Sequence, residues 1–446
     1  MGADWFLERM NGFGEEPALA DGERTTSYAS LLELTEAWYA RLTERGLRAG
    51  GVLAIEGTYS PNACAAFLAG MRLGAVLVPL TPLMRAHRDK FLEIAEVSLL
   101  VELAEDDGFS LHSLPHSVAN PLTLKLRERQ HAGLVIFSSG STGAPKAILH
   151  DLAQIREKFR KVRQKKTTLT FLLFDHIGGI DTLLGTFGSG GCVVTVSQRT
   201  PELVARAIER HHVHTLPTSP TFLNLLLMSG VWEQFDLSSL KVIAYGTEPM
   251  PQSTLQRLNE VFPGVALVQT YGMSELGVLR SRSKDNGSLW IKFTGEGFQT
   301  KVVDGTLWVK ADAAMLGYLN APDLFDDEGW LNTQDAVEVE GEYLRILGRA
   351  TDLINVGGQK VYPAEVENVL LQLSNVQEVS VFGKPHPMMG QVVAARFNLQ
   401  EPEPLDLFKR RMNAFGRERM AKYQIPVYVE VVSGEQFGAR FKKLRQ

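Results

Sequence analysis

The stretch that most restricts how this chain folds is LVIFSSGSTGAPK at 134–146, where an apolar run passes without a break into small hydroxyl residues and glycines. Leu134, Val135, Ile136 and Phe137 predict a strand over 133–137. The residues after it have the make-up of a phosphate cradle: glycines let backbone N–H groups converge on an anion, and Ser and Thr add O–H donors. The spacing is not that of the Walker loop, because two residues separate Gly140 from Gly143 and Pro145 precedes Lys146. A Gly/Ser loop by itself is equally the composition of a surface turn, so its meaning depends on the rest of the chain.

The rest alternates. GVLAIEG at 51–57 and GAVLVPL at 74–80 flank a helix opening at Ser60-Pro61, and further strands are predicted at 168–174, 191–196, 240–246, 266–270 and 305–310. This is an α/β pattern with largely parallel strands. Ser60-Pro61 and Thr200-Pro201 each put an N-cap oxygen before a proline whose missing N–H costs nothing there. The first helix is predicted from residue 26 to Gly46, with Leu31, Leu34, Trp38 and Leu42 on one stripe. From Gly341 the texture shortens: a hairpin-like GEYLRILGR, a loop INVGGQK, a helix from Pro363, then strand and helix again. A domain boundary near Arg349 gives a large domain over 1–348, a hinge over 349–351 and a small domain over 352–446.

At 446 residues the chain suits two or three domains with an enclosed cleft. Its net charge of -5 supplies no general attraction to nucleic acid or an anionic membrane, so neither is an expected partner. The basic run Arg156, Lys158, Arg160, Lys161, Arg163, Lys165, Lys166 reads first as a solvated helix face and second as a docking face for an acidic carrier protein or polyanionic cosubstrate. Cys64 and Cys192 sit in apolar stretches as small buried thiols, with no disulfide or zinc pattern. Arg72 and Gly74 split the apolar stretch 63–80 into helix then strand, so no membrane span is expected. The opening MGADWFLERM has no charged region followed by an apolar core, and the expected location is cytoplasmic.

The full string FSSGSTGAPK resembles the signature of the adenylate-forming superfamily of acyl-CoA synthetases, nonribosomal-peptide adenylation domains and luciferases. Further elements follow in the family's order: GTEPM at 246–250, YGMSE at 271–275, GTLWVKADAAMLGYLN at 305–320, GWLNTQD at 329–335, LGRATDLINVGGQKVYPAEVE at 347–367 and FKKLR at 441–445. The resemblance implies a large N-terminal domain of layered sheets and helices and a small mobile α+β C-terminal domain. It also implies ATP-dependent activation of a carboxylic acid to an acyl-adenylate, with release of pyrophosphate.

The resemblance carries over residue by residue. Ser139, Gly140, Ser141, Thr142 and Gly143 wrap the phosphates, with Thr142 among the catalytic groups and Lys146 as an added charge. Glu275 binds the magnesium and Ser274 donates to the α-phosphate. Gly246, Thr247, Glu248, Thr270, Tyr271 and Gly272 surround the adenine, Asp335 accepts from the ribose hydroxyls, and Arg349 adds a donor at the domain boundary. His176, in FDHIGGID, borders the carboxylate, and LPTSPTFLNLL at 216–226 packs near the acyl pocket. Lys442 is the catalytic lysine, bridging carboxylate and α-phosphate as charge develops.

GGQKVYPAEVE at 357–367 is close to the form found in acyl-CoA synthetases, which favours thioester formation with CoA. After adenylation the small domain of such enzymes rotates, so that Lys442 leaves and the loop with Gly358 and Lys360 enters. Three positions depart from the family pattern: Thr351 at the hinge, Gln334 for the glycine of T-G-D, and Phe441 for the glycine before the lysine. They leave two alternatives to CoA ligation: delivery to a carrier protein or an amine, and a nucleotide-binding sensor without catalysis.

Overall fold

Val52–Glu56 and Val76–Leu80 are buried at every position, as strands are when helices cover both faces of a parallel sheet. In the computed structural model they run parallel, Val52 beside Val76 and Glu56 beside Leu80. They are central to a seven-stranded sheet ordered Gly317–Tyr318, Pro145–Asp151, Gly133–Ser139, Val76–Leu80, Val52–Glu56, Leu99–Leu103, Phe109–Ser113. A second seven-stranded sheet is ordered Ala266–Gln269, Val242–Tyr245, Thr215–Thr218, Thr167–Leu169, Cys192–Thr195, Pro17–Asp21, Arg24–Ser27. The structure describes residues 4–139, 145–434, 436–438, 440, 441 and 443.

Helices fill the space between these sheets. Tyr28–Glu44, Pro61–Leu73 and Ile177–Phe187 contribute Trp38, Phe67 and Leu184 to one core, which Leu53 and Ile136 enter from the first sheet and Leu19 and Val193 from the second. The outer face of the second sheet packs Pro201–His211, Pro220–Ser229 and Gln252–Val261 through Val204, Phe222 and Leu255. Arg88–Ile94 and Pro121–Arg129 cover the first sheet through Phe91 and Leu126. The layered α/β domain is therefore as expected.

The chain then builds a six-stranded sheet, Ser281–Ser283, Ile291–Phe293, Tyr343–Arg349, Leu331–Glu340, Thr306–Ala311, Phe298–Val303. Tyr343–Arg349 still belongs to it, whereas Ile354–Val356 belongs to the five-stranded sheet of the small domain, so the change of sheet falls across 350–353. Helices Pro363–Leu370 and Leu405–Arg419 close that sheet through Val366, Leu370, Phe408 and Met412.

Helix starts fall where the capping signals put them. Ser60 accepts from the Ala63 N–H and Thr200 from the Leu203 N–H, and the first long helix, Tyr28–Glu44, is capped by Ser27. Other expectations are corrected. The inner strands of the two seven-stranded sheets are parallel, but Pro145–Asp151 pairs antiparallel with both Gly133–Ser139 and Gly317–Tyr318, Leu99–Leu103 with Phe109–Ser113, and Pro17–Asp21 with Arg24–Ser27. The six-stranded sheet is antiparallel throughout. The predicted strand 168–174 ends at Leu169, because the backbone turns: Phe171 N–H bonds the Leu169 carbonyl and His176 N–H the Leu173 carbonyl. INVGGQK is a hairpin, Ile354–Val356 against Gln359–Val361, with φ of 57° and 89° at Gly357 and Gly358, the conformation a two-residue turn needs. A short helix, Trp5–Asn11, has too few turns to show a period. The basic run is no helix face, since the helix stops at Glu157 and the next nine residues are irregular up to the strand at Thr167. Cys64 is buried and Cys192 half-buried, both free. Among the described residues no helix is long and apolar enough to cross a membrane.

Candidate active site

The phosphate-loop strand and its successor are antiparallel, Phe137 facing Ala147, Ser138 facing Lys146 and Ser139 facing Pro145. Gly140, Ser141, Thr142 and Gly143 lie outside the described residues. The outgoing flank is pinned by Asn320, whose amide donates to the Pro145 carbonyl at 2.9 Å and accepts from the Ala147 N–H at 2.9 Å. From that flank the Lys146 ammonium stands 5.0 Å from the centre of the Tyr318 ring, and the Tyr318 hydroxyl donates to Glu275 Oε1 at 2.8 Å. Residues of three separate motifs thus meet at Tyr318, its ring beside Lys146 and its hydroxyl on Glu275.

Glu275 sits between the strands Tyr271–Met273 and Gly277–Leu279. They approach so closely that a Cβ on Gly272 would lie 2.6 Å from the Gly277 carbonyl oxygen. Below, His150 Nε2–H donates to the Ser274 carbonyl at 2.7 Å, and burial pushes this imidazole down to about 4, so it is a neutral donor. Glu275 is only 9% exposed and, among the described residues, makes no salt bridge. A buried carboxylate without a protein cation fits a divalent ion shared with phosphates, which needs one or two carboxylates rather than a protein cage.

Tyr271 packs its ring on Phe293, 5.5 Å between centroids, and donates its hydroxyl to Asp335 Oδ2 at 2.6 Å. The other Asp335 oxygen lies 3.0 Å from Arg349 Nε. Burial raises the Asp335 carboxyl above the usual carboxylate range, against the pull of Arg349 and the Tyr271 hydroxyl.

On the turn after strand Val242–Tyr245, a Cβ on Gly246 would lie 2.5 Å from Thr270 Oγ1. Thr247 holds φ at 74°, a strained conformation for a β-branched residue, and its hydroxyl is buried without a partner. Glu248 is turned away: its carboxylate accepts from the Thr221 N–H at 2.7 Å and the Thr221 hydroxyl, and from the Lys443 N–H at 3.3 Å.

Thr247, Thr270, Tyr271, Gly272, Ser274, Glu275 and Tyr318 line a cleft of about 460 Å³ together with Ser138, Lys146, His176 and Arg349, whereas Gly246, Glu248 and Asp335 do not line it. His176 is the N-cap of helix Ile177–Phe187, its Nδ1 accepting from the Gly178 N–H at 3.0 Å. A second cavity of about 370 Å³ runs along that helix, lined by Gly178, Thr182, Gly185 and Ser189. Leu172, Gly178, Thr247, Thr270 and Val278 line both spaces. Thr218 of the apolar stretch 216–226 lines the second cavity, while Phe222 packs in the core.

The C-terminal tail docks beside this junction. Phe441 packs against Phe171 and Phe222, at 5.3 and 5.6 Å, and stacks on Phe437. Arg440 bonds the buried Asp175 at 2.8 Å, and Lys443 bonds Glu367 at 3.1 Å. Lys442 lies outside the described residues. Gln252 N–H to Asn368 at 2.8 Å ties the small domain to the large one. Gly358 and Lys360 sit on the small-domain hairpin and line neither cavity. His150, Tyr318, Asn320, Asp175 and Arg440 escaped the sequence reading. A histidine inside the apolar strand KAILH was the signal for the first.

The protein-family model described as AMP-binding enzyme matches residues 6–319, and that of the AMP-binding enzyme C-terminal domain matches 365–436. A 2-succinylbenzoate–CoA ligase of Bacillus subtilis (strain 168) is 26% identical over 486 residues, covering 99% of this chain and 96% of the relative. A luciferin 4-monooxygenase of Luciola mingrelica is 33% identical over 306 residues, covering 62% of this chain and 55% of that protein. Among solved structures, an anthranilate CoA ligase in complex with anthranoyl-AMP superposes with a TM-score of 0.84 at 20% identity, over 98% of this chain and 95% of that one. With matched models over both its large and its small domain, the chain belongs to the AMP-binding, adenylate-forming enzyme family.

Proposed function

We propose that the chain activates a carboxylic acid with ATP and passes the acyl group to the thiol of CoA. The observation that carries this is the shared wall: a cleft with the phosphate-loop flank, Lys146 and Glu275 opens beside a second cavity across Leu172, Gly178, Thr247, Thr270 and Val278. A carboxylate held at that wall stands next to an α-phosphate held in the cleft, the proximity an in-line displacement requires. The carboxylate oxygen bonds to the α-phosphorus as the bond to pyrophosphate breaks. In the second step the thiolate sulfur bonds to the acyl carbon and AMP leaves.

In this reading Ser139 to Gly143 and Lys146 hold phosphates, and Asp335 with Arg349 holds the ribose side. Glu275 is the residue that fits magnesium, which, when bound, spreads phosphate charge. Tyr318 holds the Glu275 carboxylate through its hydroxyl, and His150 holds the carbonyl of the preceding Ser274. Lys442 follows Phe441 and precedes Lys443, both docked on the large domain, which supports a role at the reacting phosphate. A hinge across 349–351, where Arg349 and Thr351 line the cleft, would exchange Lys442 for Gly358 and Lys360 in the second step.

The test is acid-dependent exchange of labelled pyrophosphate into ATP, followed by CoA addition. Exchange that needs both acid and magnesium, then acyl-CoA, is the expected result. No exchange with any acid removes the adenylation reading. Exchange without acyl-CoA, but with amide from an added amine or acylation of a carrier thiol, changes the acceptor alone.

A further inference from the structure

The second cavity is small-walled along one helix and charged at its far end. Gly178, Thr182, Gly185 and Ser189 recur on one face of Ile177–Phe187 and the turn after it, so the groove starts at the nucleotide cleft and follows the helix away from it. Arg163, Gln164 and Lys166 line it where the irregular segment enters the strand Thr167–Leu169. A helix of that length and strands of that length put this end roughly 10–15 Å from the cleft.

Charge at the far end does not balance. The Arg163 and Arg280 guanidiniums both donate to the Lys158 carbonyl, at 3.3 and 3.0 Å, so three cations meet there. Asp181 pairs with Lys158. Among the described residues Arg163, Lys166 and Arg280 make no salt bridge. Burial, with Arg163 and Arg280 adding repulsion, pulls the Lys158 ammonium down to about 7. Between the two ends the walls are mainly apolar, with Phe159, Leu172, Pro217 and Val278 beside Thr215 and Thr218. Arg163 and Lys166 thus bring to this end of the cavity positive charge that no carboxylate pairs among the described residues, and an anionic group on a ligand complements it.

We propose, resting on the adenylation reading, that this cavity takes an acid with a second carboxylate. The carboxylate to be activated stands at Thr247 and Thr270, and the distal one is held by Arg163 and Lys166. The substrate class is a medium-length dicarboxylate, or an aromatic acid bearing a second carboxylate on a side arm. The unreacted carboxylate changes no bonds; it fixes register, so that only one end of the molecule reaches the phosphate.

Calorimetric titration of the full chain with dicarboxylates and with monocarboxylates of the same carbon count tests this, run beside the pyrophosphate exchange. The diacid is expected to bind about ten-fold tighter or more. That preference should collapse toward unity in an Arg163→Gln, Lys166→Gln double variant. It should rise in Asp181→Asn, which removes the competing anion, whereas misfolding would lower binding in both variants alike. Monoacids binding as well as diacids, or a preference that survives the double variant, overturns the assignment. Selective diacid binding with no exchange keeps the cavity assignment and removes the adenylation reading; exchange sustained equally by monoacids does the reverse.

Discussion

Gln334 and Phe441 stand where the family pattern has glycine, and both hold a left-handed backbone, φ of 60° and 51°. At Gln334 the side chain is exposed and contributes no packing, so only the strain remains. Gln334→Gly is therefore expected to stabilise the fold by about 0.5–1 kcal/mol, the relief of strain less the extra freedom of glycine in the unfolded chain. A urea midpoint that moves down instead would show that the turn imposes no strain. Phe441 differs because its ring is used. Contacts with Phe171, Phe222 and Phe437, together with partial burial, outweigh strain of ~1–2 kcal/mol, so Phe441→Gly should loosen the tail, read as faster proteolysis at the C-terminus. The identity of both residues was plain in the sequence; their conformation was not, because a left-handed φ leaves no trace in composition once glycine is gone.

The strand Pro145–Asp151 is tied to other elements at both ends. It opens on Asn320 at Pro145 and Ala147 and, at His150, supports Ser274 of another motif. Its register against Gly133–Ser139 sets both. His150 titrates near 6.5 when unfolded and about 4 here, held down by burial. Between those values the unfolded chain binds a proton that the folded one refuses, so stability is full above pH 6.5 and falls as the pH drops toward 4. The loss is about 3 kcal/mol. Unfolding midpoints across that range should slope less in His150→Gln, which keeps a donor for the Ser274 carbonyl; equal slopes would mean His150 is protonated in the fold. At this scale strands and capped helices with strong periodicity were legible. The hairpin at 354–361 and the early end of the strand at Leu169 were not, since close turns depend on partners far along the chain.

Across the whole molecule the tail closes the structure from the small domain onto the large one, by the Arg440 guanidinium on Asp175 and the Lys443 N–H on Glu248. Asp175 is 4% exposed, and burial raises its carboxyl against the pull of Arg440, Thr81 and Arg199, so losing Arg440 removes the cation bonded to a buried acid. Arg440→Ala should slow acyl-adenylate formation about ten-fold or more while leaving acyl transfer from supplied acyl-AMP unchanged or faster, because the docked arrangement serves the first step. Single-turnover measurement of both steps separates this from a general defect, which would slow both alike. The proposed ATP side rests on the resemblance carried by SSGSTG, YGMSE and TQD, short strings that the sequence shows whole. The cavity proposed for the acid had no such string. It is assembled from Arg163, Gly178, Thr215, Thr247 and Thr270, residues of an irregular segment, a helix, a strand and the segments that follow two other strands. Local sequence determines which groups are present and which turns they cap, but the shape and charge of a cavity depend on which distant elements pack side by side, and only the tertiary structure decides that.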